Sequence, residues 1–310
     1  MSTDSPTTNS WTDRLPTAVN NTVHRLAIAS LISQIGIIVT GGAVRLTKSG
    51  LGCSQWPNCV PGSMTPVPEM GIHGLIEFGN RLLTFVLIII AVAFLASIWR
   101  MRSEHKTVFS LSIALLAGIP AQAVIGGITV WTDLNPWVVS LHFIVSAAMV
   151  LAATLLVNRT GALRRGETSI GKPAGTTQRF LAWTILLTSA LAIVLGTVVT
   201  GTGPHAGDAS APRHMFDPYL VARIHVLPVY ILVAAALVAL FLAMRNTADL
   251  KLRTPLLLLV GVVIVQGIIG YVQHFTGLPV LLVLLHMLGA SLLAAAAINV
   301  WDRATAKFPF

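Results

Sequence analysis

The sequence predicts an all-α integral membrane protein in which eight transmembrane helices form two pseudo-symmetric four-helix bundles. The first observation is composition, since 55% of the 310 residues are hydrophobic and only 10% are charged. A soluble domain normally carries about 25% charged residues. The second observation is a set of eight long apolar stretches, and the third is an internal repeat. The composition excludes a soluble globular enzyme, a disordered chain and a nucleic-acid-binding module.

Eight apolar stretches are each long enough to cross a bilayer. A spanning helix needs about 20 apolar residues, and continuous apolar runs favour helices over strands of alternating polarity. Only helices and closed barrels satisfy their backbone hydrogen bonds inside a membrane. The predicted spans are 24–44, 73–99, 107–131, 136–158, 179–201, 219–243, 254–273 and 279–301.

The net charge of +9 indicates membrane topology and no nucleic-acid partner. If the N-terminus is cytoplasmic, fifteen of the 20 Lys and Arg residues lie in cytoplasmic segments and three lie outside. The remaining two, Arg81 and Arg223, lie within helices. Positive residues accumulate on the cytoplasmic side of multi-pass proteins. The sequence therefore predicts a multi-pass protein of the plasma membrane with both termini in the cytoplasm.

The chain contains two copies of a four-helix unit. Gln122 precedes His142 by 20 residues, and Gln266 precedes His286 by the same spacing. A Val-Thr-Gly motif also recurs in the first and fifth helices. Because each unit has an even number of helices, the two share one orientation and are related by an axis along the membrane normal.

This repeat divides the chain into five segments. They are a cytoplasmic polar tail (1–22), an N-terminal bundle on the substrate side (23–158), a cytoplasmic linker (159–179), a C-terminal bundle (180–301) and a cytoplasmic tail (302–310). The linker is basic and contains several Gly and Thr residues, as connecting segments do.

Three histidines lie at one depth on equivalent helices. His142, His225 and His286 are each six or seven residues from the predicted outer end of an even-numbered helix. Ionisable residues inside a membrane are usually functional, and imidazoles on facing helices are typical axial ligands of haem iron. We therefore expect His225 and His286 to bind one haem. The alternative is a hydrogen-bonded pair of core histidines, while zinc is disfavoured because further ligands are missing at this depth.

The first half keeps one of these histidines and adds an acid. Alignment of the two halves places Asn80 at the position of His225. Glu77 is the one acidic residue well within an apolar span, and it shares a helix face with Asn80 and Arg81. We expect Glu77 to act as an acid–base group, with a structural ion pair to Arg81 as the alternative. Arg81 and Arg223 are also candidates for binding haem propionates, because guanidinium and carboxylate form forked pairs.

Two outer loops carry further polar residues. Cys53 and Cys59 lie on the outer, oxidising side, which favours a disulfide over free thiols. The matching loop of the second half has no cysteine and contains His205, Asp208 and His214. We expect an ordinary capped loop there, with a metal site as the alternative.

Longer motifs in both halves are specific in combination. They are TGGAVRLTKSGLGC (40–53), WPNC (56–59), IEFGNR (76–81), GGITV (126–130) and TGTGPHAGD (200–208), together with His142, His225 and His286. On these motifs the sequence resembles the haem A synthase family, over the whole chain apart from the polar tail.

The resemblance implies oxidation of the C8 methyl group of haem O to a formyl group. Two successive hydroxylations would take oxygen from water, and electrons would leave through a bound haem b. It also implies that His225 and His286 ligate haem b, that His142 faces the substrate haem, and that Glu77 is the essential acid. Cys53 and Cys59 match the outer-loop cysteine pair of the family.

One motif departs from the family pattern. Many members have Glu-x-x-His-Arg where this chain has Asn80 in place of the histidine. The substrate haem is then expected to be five-coordinate on His142, and His73, two turns away, is the alternative second ligand. The implied partners are haem O, handed over within the membrane by haem O synthase, and membrane lipid; an oligomer is compatible with the sequence.

Two other functions remain open from the sequence. A b-type cytochrome that passes electrons to quinone would need no single acid within the membrane. A transporter with a polar belt would be colourless when purified.

Overall fold

The computed structural model describes residues 14–167 and 173–305, and these residues are folded mainly into eight long helices. The helices are α1 (Asn21–Leu46), α2 (Gly71–Ile98), α3 (Lys106–Trp131), α4 (Pro136–Arg164), α5 (Thr176–Thr202), α6 (Pro218–Arg245), α7 (Leu250–Phe275) and α8 (Val280–Thr305). Each helix is long and apolar enough to cross a membrane. The predicted all-α fold with eight spans is confirmed.

Side-chain caps fix the starts of three helices. Asn20 accepts a hydrogen bond from the Val23 N–H at 3.0 Å at the start of α1. Asn135 and Asp217 cap α4 and α6 in the same way, and a proline follows each of them. An Asn or Asp cap followed by proline at the first helical position satisfies free N–H groups and presets the helical φ.

Each half of the chain forms a four-helix bundle. In the first half α1 contacts α2 and α4, and α3 contacts the same two helices, which closes a ring. The helices α5–α8 form a second ring with equivalent contacts. Helices α1 and α4 of the first bundle pack against α8, and α4 also contacts α5. The predicted pair of four-helix bundles is confirmed.

In both bundles the packed apolar core lies in the half where α4 ends and α5 begins. The largest fully buried residues of these cores are Val23, Phe94, Ile98, Val108 and Leu156 in the first bundle, and Ile185, Leu232, Leu252, Leu256, Leu259 and Val300 in the second. The three candidate histidines lie in the opposite half of each bundle. The smaller apolar clusters lie between the bundles and beneath the outer loops, so the described residues form no large core around the histidines.

A buried ion pair joins the bundles near the packed cores. Arg159 on α4 donates to both carboxylate oxygens of Asp302 on α8, at 2.7 and 3.0 Å. Asn158 donates to the same carboxylate at 3.0 Å. This compensation lets α4 continue to Arg164, into the segment 159–179 that the sequence predicted as linker. Within the predicted tails and linker, residues 1–13, 168–172 and 306–310 lie outside the described residues.

We expect Asp302→Ala to lower the free energy of unfolding by about 3 kcal/mol, because it leaves the buried Arg159 guanidinium without its carboxylate. Glu167→Ala is the matched control, since it removes an exposed ion pair with Arg165 and should cost less than about 1 kcal/mol. Thermal unfolding in detergent measures both. Equal losses would contradict a structural role for the α4–α8 pair.

Candidate functional site

Glu77 lies buried on α2, beneath the first outer loop. Its Oε2 accepts a hydrogen bond from the Cys53 backbone N–H at 2.6 Å. Its Oε1 accepts from Arg81, at 2.5 Å from Nη2 and 3.2 Å from Nε. The ion pair that the sequence offered as an alternative is therefore present, and the carboxylate is also tied to the loop backbone.

Arg81 connects this carboxylate to the loop. Its remaining donors reach four backbone carbonyls between residues 53 and 58, at 3.1 to 3.5 Å. A disulfide between Cys53 and Cys59 closes the same loop, which confirms the predicted disulfide. Loop, disulfide and acid thus form one bonded unit at the outer end of α2.

The loop also packs on α3. The Trp56 ring lies against Gly127, with the ring carbon Cε3 2.7 Å from the position that a Cβ on this glycine would occupy. The Trp56 and Trp131 rings meet edge to face, with centroids 5.4 Å apart, and the Trp131 indole N–H donates to the Trp56 carbonyl at 3.1 Å. The loop is therefore held over both α2 and α3.

Each candidate histidine packs against a glycine of the preceding helix. A Cβ built on that glycine would lie 3.2 to 3.5 Å from the imidazole Cε1. The pairs are Gly126–His142, Gly196–His225 and Gly270–His286. A Cβ at Gly196 would press on the His225 ring at 3.2 Å, whereas one at Gly126 or Gly270 would make an ordinary contact with its imidazole. Sequence reasoning did not detect these contacts between glycines and imidazoles.

The imidazoles have nitrogen atoms without protein partners. The Nδ1 atom of each of the three rings is buried and makes no well-formed hydrogen bond within residues 14–167 and 173–305, although the Ala192 carbonyl lies beside the His225 ring. His225 on α6 and His286 on α8 lie on diagonally opposite helices of the second bundle, since α6 and α8 each contact α5 and α7. The two histidines therefore lie on opposite helices of one bundle.

These surroundings fit an iron porphyrin better than a bare metal ion. The part of the chain that is described contains no group of three or more His, Cys, Asp and Glu residues suited to a metal. Haem iron needs only one or two imidazoles from the protein, and the half-bundles around the histidines have no large apolar core of their own. Ligation by His225 and His286 stays a prediction that this arrangement supports.

The first bundle presents an amide beside its histidine. Asn80 lies on α2, and its Oδ1 is buried without a hydrogen-bond partner among the described residues. Gln122, whose role the sequence did not reveal, donates to the His142 carbonyl at 3.0 Å and to the Ser146 hydroxyl. Gln122 therefore fixes the backbone of α4 at the histidine.

The other predicted residues lie at the edges of the two bundles. His73 is exposed at the outer end of α2, where its Nδ1 is hydrogen-bonded to the Ser49 hydroxyl at 2.9 Å. Arg223 is exposed on α6 and makes no hydrogen bond or ion pair in the described ranges. Arg223 thus has donors available for a propionate, while those of Arg81 face the loop; both propionate assignments stay predictions.

Arg45 joins the two outer loops, which sequence reasoning did not detect. It is half-buried at the end of α1 and donates to the backbone carbonyls of His205 at 2.5 Å and Thr200 at 3.1 Å. The Gly50 N–H donates to the Gly207 carbonyl at 3.0 Å beside it. The outer ends of the two bundles are therefore fastened together.

The second outer loop has the form of a capped loop. His205 donates to the Leu278 carbonyl at 2.9 Å, and the His214 ring lies against Trp137, with centroids 4.2 Å apart. Burial lowers the pKa of His214. Hydrogen bonds from the Ser210 N–H and hydroxyl lower the pKa of Asp208. These contacts favour the capped loop over the metal site.

Comparison with known proteins gives consistent matches. The chain is 25% identical to the heme A synthase of Rhizobium rhizogenes, over 90% of this chain and 89% of that protein. It is 23% identical to the heme A synthase of Listeria monocytogenes, over 87% and 91%. The heme A synthase of Lysinibacillus sphaericus is 32% identical over 44% and 46%, so the chain aligns with about half the length of that relative.

The family described as cytochrome oxidase assembly protein matches residues 24–298. This range runs from the first turn of α1 into the last turns of α8, and it includes Glu77, the three histidines and both outer loops. The chain therefore belongs to the cytochrome oxidase assembly protein family.

Proposed function

We propose that this chain is a haem A synthase of the plasma membrane, with both termini in the cytoplasm. The names of its relatives support this, and the basic segments near the packed cores support the orientation. The observation that carries the proposal is the asymmetry between the bundles. Each has a histidine on its fourth helix at the same depth, but among the described residues only the first bundle has a buried acid beside this histidine.

The second bundle is proposed to hold haem b between His225 and His286. Haem b supplies one-electron redox chemistry when it is bound there. His225 and His286 would hold it, and their rings pack against Gly196 and Gly270. Arg223 lies two residues before His225 with donors available for a propionate.

The first bundle is proposed to hold haem O, with His142 facing it. Conversion of a methyl to a formyl group with oxygen from water releases protons and two pairs of electrons. Glu77 would take a proton from the attacking water at one of its carboxylate oxygens. Arg81 and the Cys53 N–H hold this carboxylate in place, which positions the proton acceptor without a large movement of α2.

The partners proposed for the chain follow from this chemistry. Haem O carries a long apolar tail, so we propose that it arrives within the membrane from haem O synthase. Surrounding lipid would cover the apolar outer faces of the helices, many of which are exposed. An oligomer is compatible with these faces.

The experiment that tests the function supplies purified protein with haem O in the absence of oxygen, with ferricyanide as the electron acceptor. We expect haem A to form, because the oxygen atom comes from water. Protein without ferricyanide is the control. Its formation of haem A should stop once its own redox centre is reduced. No haem A under any electron acceptor would overturn the function, and a strict need for oxygen would overturn the water-derived route.

We expect Gly196→Ala to perturb haem b, because its Cβ would lie 3.2 Å from the His225 ring. The ring must shift, so reduced haem retention and a changed Soret band should follow. Gly36→Ala at the equivalent place on α1 is the matched control, since a Cβ there meets nothing within 4 Å. Absorption spectra of both variants test this, and identical haem b spectra would contradict it.

A further inference from the structure

The repeat makes Asn80 and Gly36 the counterparts of His225 and Gly196. Asn80 takes the place of His225 when the two halves are aligned, as α2 corresponds to α6. The Val-Thr-Gly motifs that begin at Val39 on α1 and Val199 on α5 align these helices, and Gly36 and Gly196 each precede the motif by three residues. The two bundles therefore offer an internal comparison at one position.

The side chains at this position contact different parts of the preceding helix. In the second bundle the His225 ring comes within 3.2 Å of a Cβ built on Gly196. In the first bundle no atom of the described residues comes within 4 Å of a Cβ built on Gly36. The Asn80 amide lies elsewhere along α1, with its Nδ2 3.9 Å from a Cβ built on Gly41, so it does not cover the surface at Gly36.

The Asn80 amide can form hydrogen bonds with a small molecule. Its Oδ1 is buried and unpartnered within the described residues, and a buried amide oxygen without a hydrogen bond is costly. Its Nδ2 lies 3.9 Å from a Cβ built on Gly41, so no bulky side chain covers it from that glycine. The amide offers both a donor and an acceptor.

We propose that His142 is the one protein ligand of the substrate haem iron, and that the opposite position binds a small exogenous ligand hydrogen-bonded by Asn80. This inference rests on the proposed function, because it requires haem O in the first bundle. Water is the ligand of the resting enzyme, and small anions or imidazole are alternatives of the same size. A single protein ligand also suits a substrate that must leave, whereas two histidines retain haem b.

The test uses the full-length protein loaded with ferric haem O, without oxygen or an electron acceptor. Imidazole is the probe. Its binding is measured by the change in the Soret band and in the electron paramagnetic resonance signal. We expect high-spin haem O that becomes low-spin with imidazole, while the low-spin haem b signal does not change. Haem O that is already low-spin and does not respond to imidazole would overturn the proposal.

Asn80→His should convert haem O to a low-spin form and abolish the imidazole response. The mirror variant His225→Asn creates the first-bundle arrangement in the second bundle, and it should make haem b high-spin and responsive to imidazole. Failure of Asn80→His to remove the response would place the open position elsewhere and overturn the proposal.

Asn80→Leu tests the amide itself. It removes the hydrogen bond but keeps a side chain of similar size, so cyanide should bind haem O about tenfold more weakly. Unchanged cyanide affinity would overturn the role of Asn80. Extracted pigments are measured in every arm, because failure to load haem O would overturn the proposed function, whereas loaded haem O that ignores imidazole overturns only this inference.

Discussion

Glu77→Gln is expected to lower haem A formation by at least about 100-fold, because the amide accepts no proton from water and general base catalysis typically contributes that much. Haem b content should not change, since Glu77 lies in the other bundle. Haem A in extracted pigments measures the loss. Glu69→Gln is the matched control, because Glu69 is exposed just before α2 and should retain full activity.

A second readout separates chemistry from loop structure. Glutamine still offers Oε1 as an acceptor for the Cys53 N–H, so the loop and its disulfide should persist. Labelling of Cys53 and Cys59 with a thiol reagent should therefore fail in Glu77→Gln as it does in the original protein. Full haem A formation by Glu77→Gln would refute the catalytic assignment.

His225→Ala is expected to remove haem b and to stop turnover, because the iron loses an axial ligand and electrons have no route out. His286→Ala should have the same effect, since His286 is the other proposed ligand of haem b in the second bundle. His142→Ala is the contrasting variant, which should keep haem b while losing haem O. The pyridine haemochrome spectrum of each purified variant checks this, and loss of haem b from His142→Ala alone would reverse the assignment of the two bundles.

The eight helices could be predicted because hydrocarbon tolerates only long apolar stretches. The end of α4 could not be predicted in the same way. The apolar run stops before Arg159, yet the helix continues to Arg164, because Asp302 on α8 compensates the charge. The partner lies 143 residues away, and no local pattern reports such a contact.

The candidate site shows the same division. Depth along the helices identified the three histidines as candidates, and Glu77 was visible as the one acid well within a predicted apolar span. The residues that surround them were not predicted, because their hydrogen bonds join distant parts of the chain. Arg81 donates to loop carbonyls 23 or more residues away, and Arg45 donates to a carbonyl 160 residues away. One signal was available: Gly126 and Gly270 each precede a histidine by 16 residues, which marks the glycine–imidazole contacts as part of the repeat.

The central claim is that each bundle holds one iron porphyrin and that only the first is equipped for chemistry. Haem content per chain tests it most directly, in protein purified from cells with and without haem O synthase. We predict one haem b per chain in both preparations, with haem O or haem A in addition only where haem O is supplied. A colourless protein, or one that contains only haem b whatever the supply, would contradict the account.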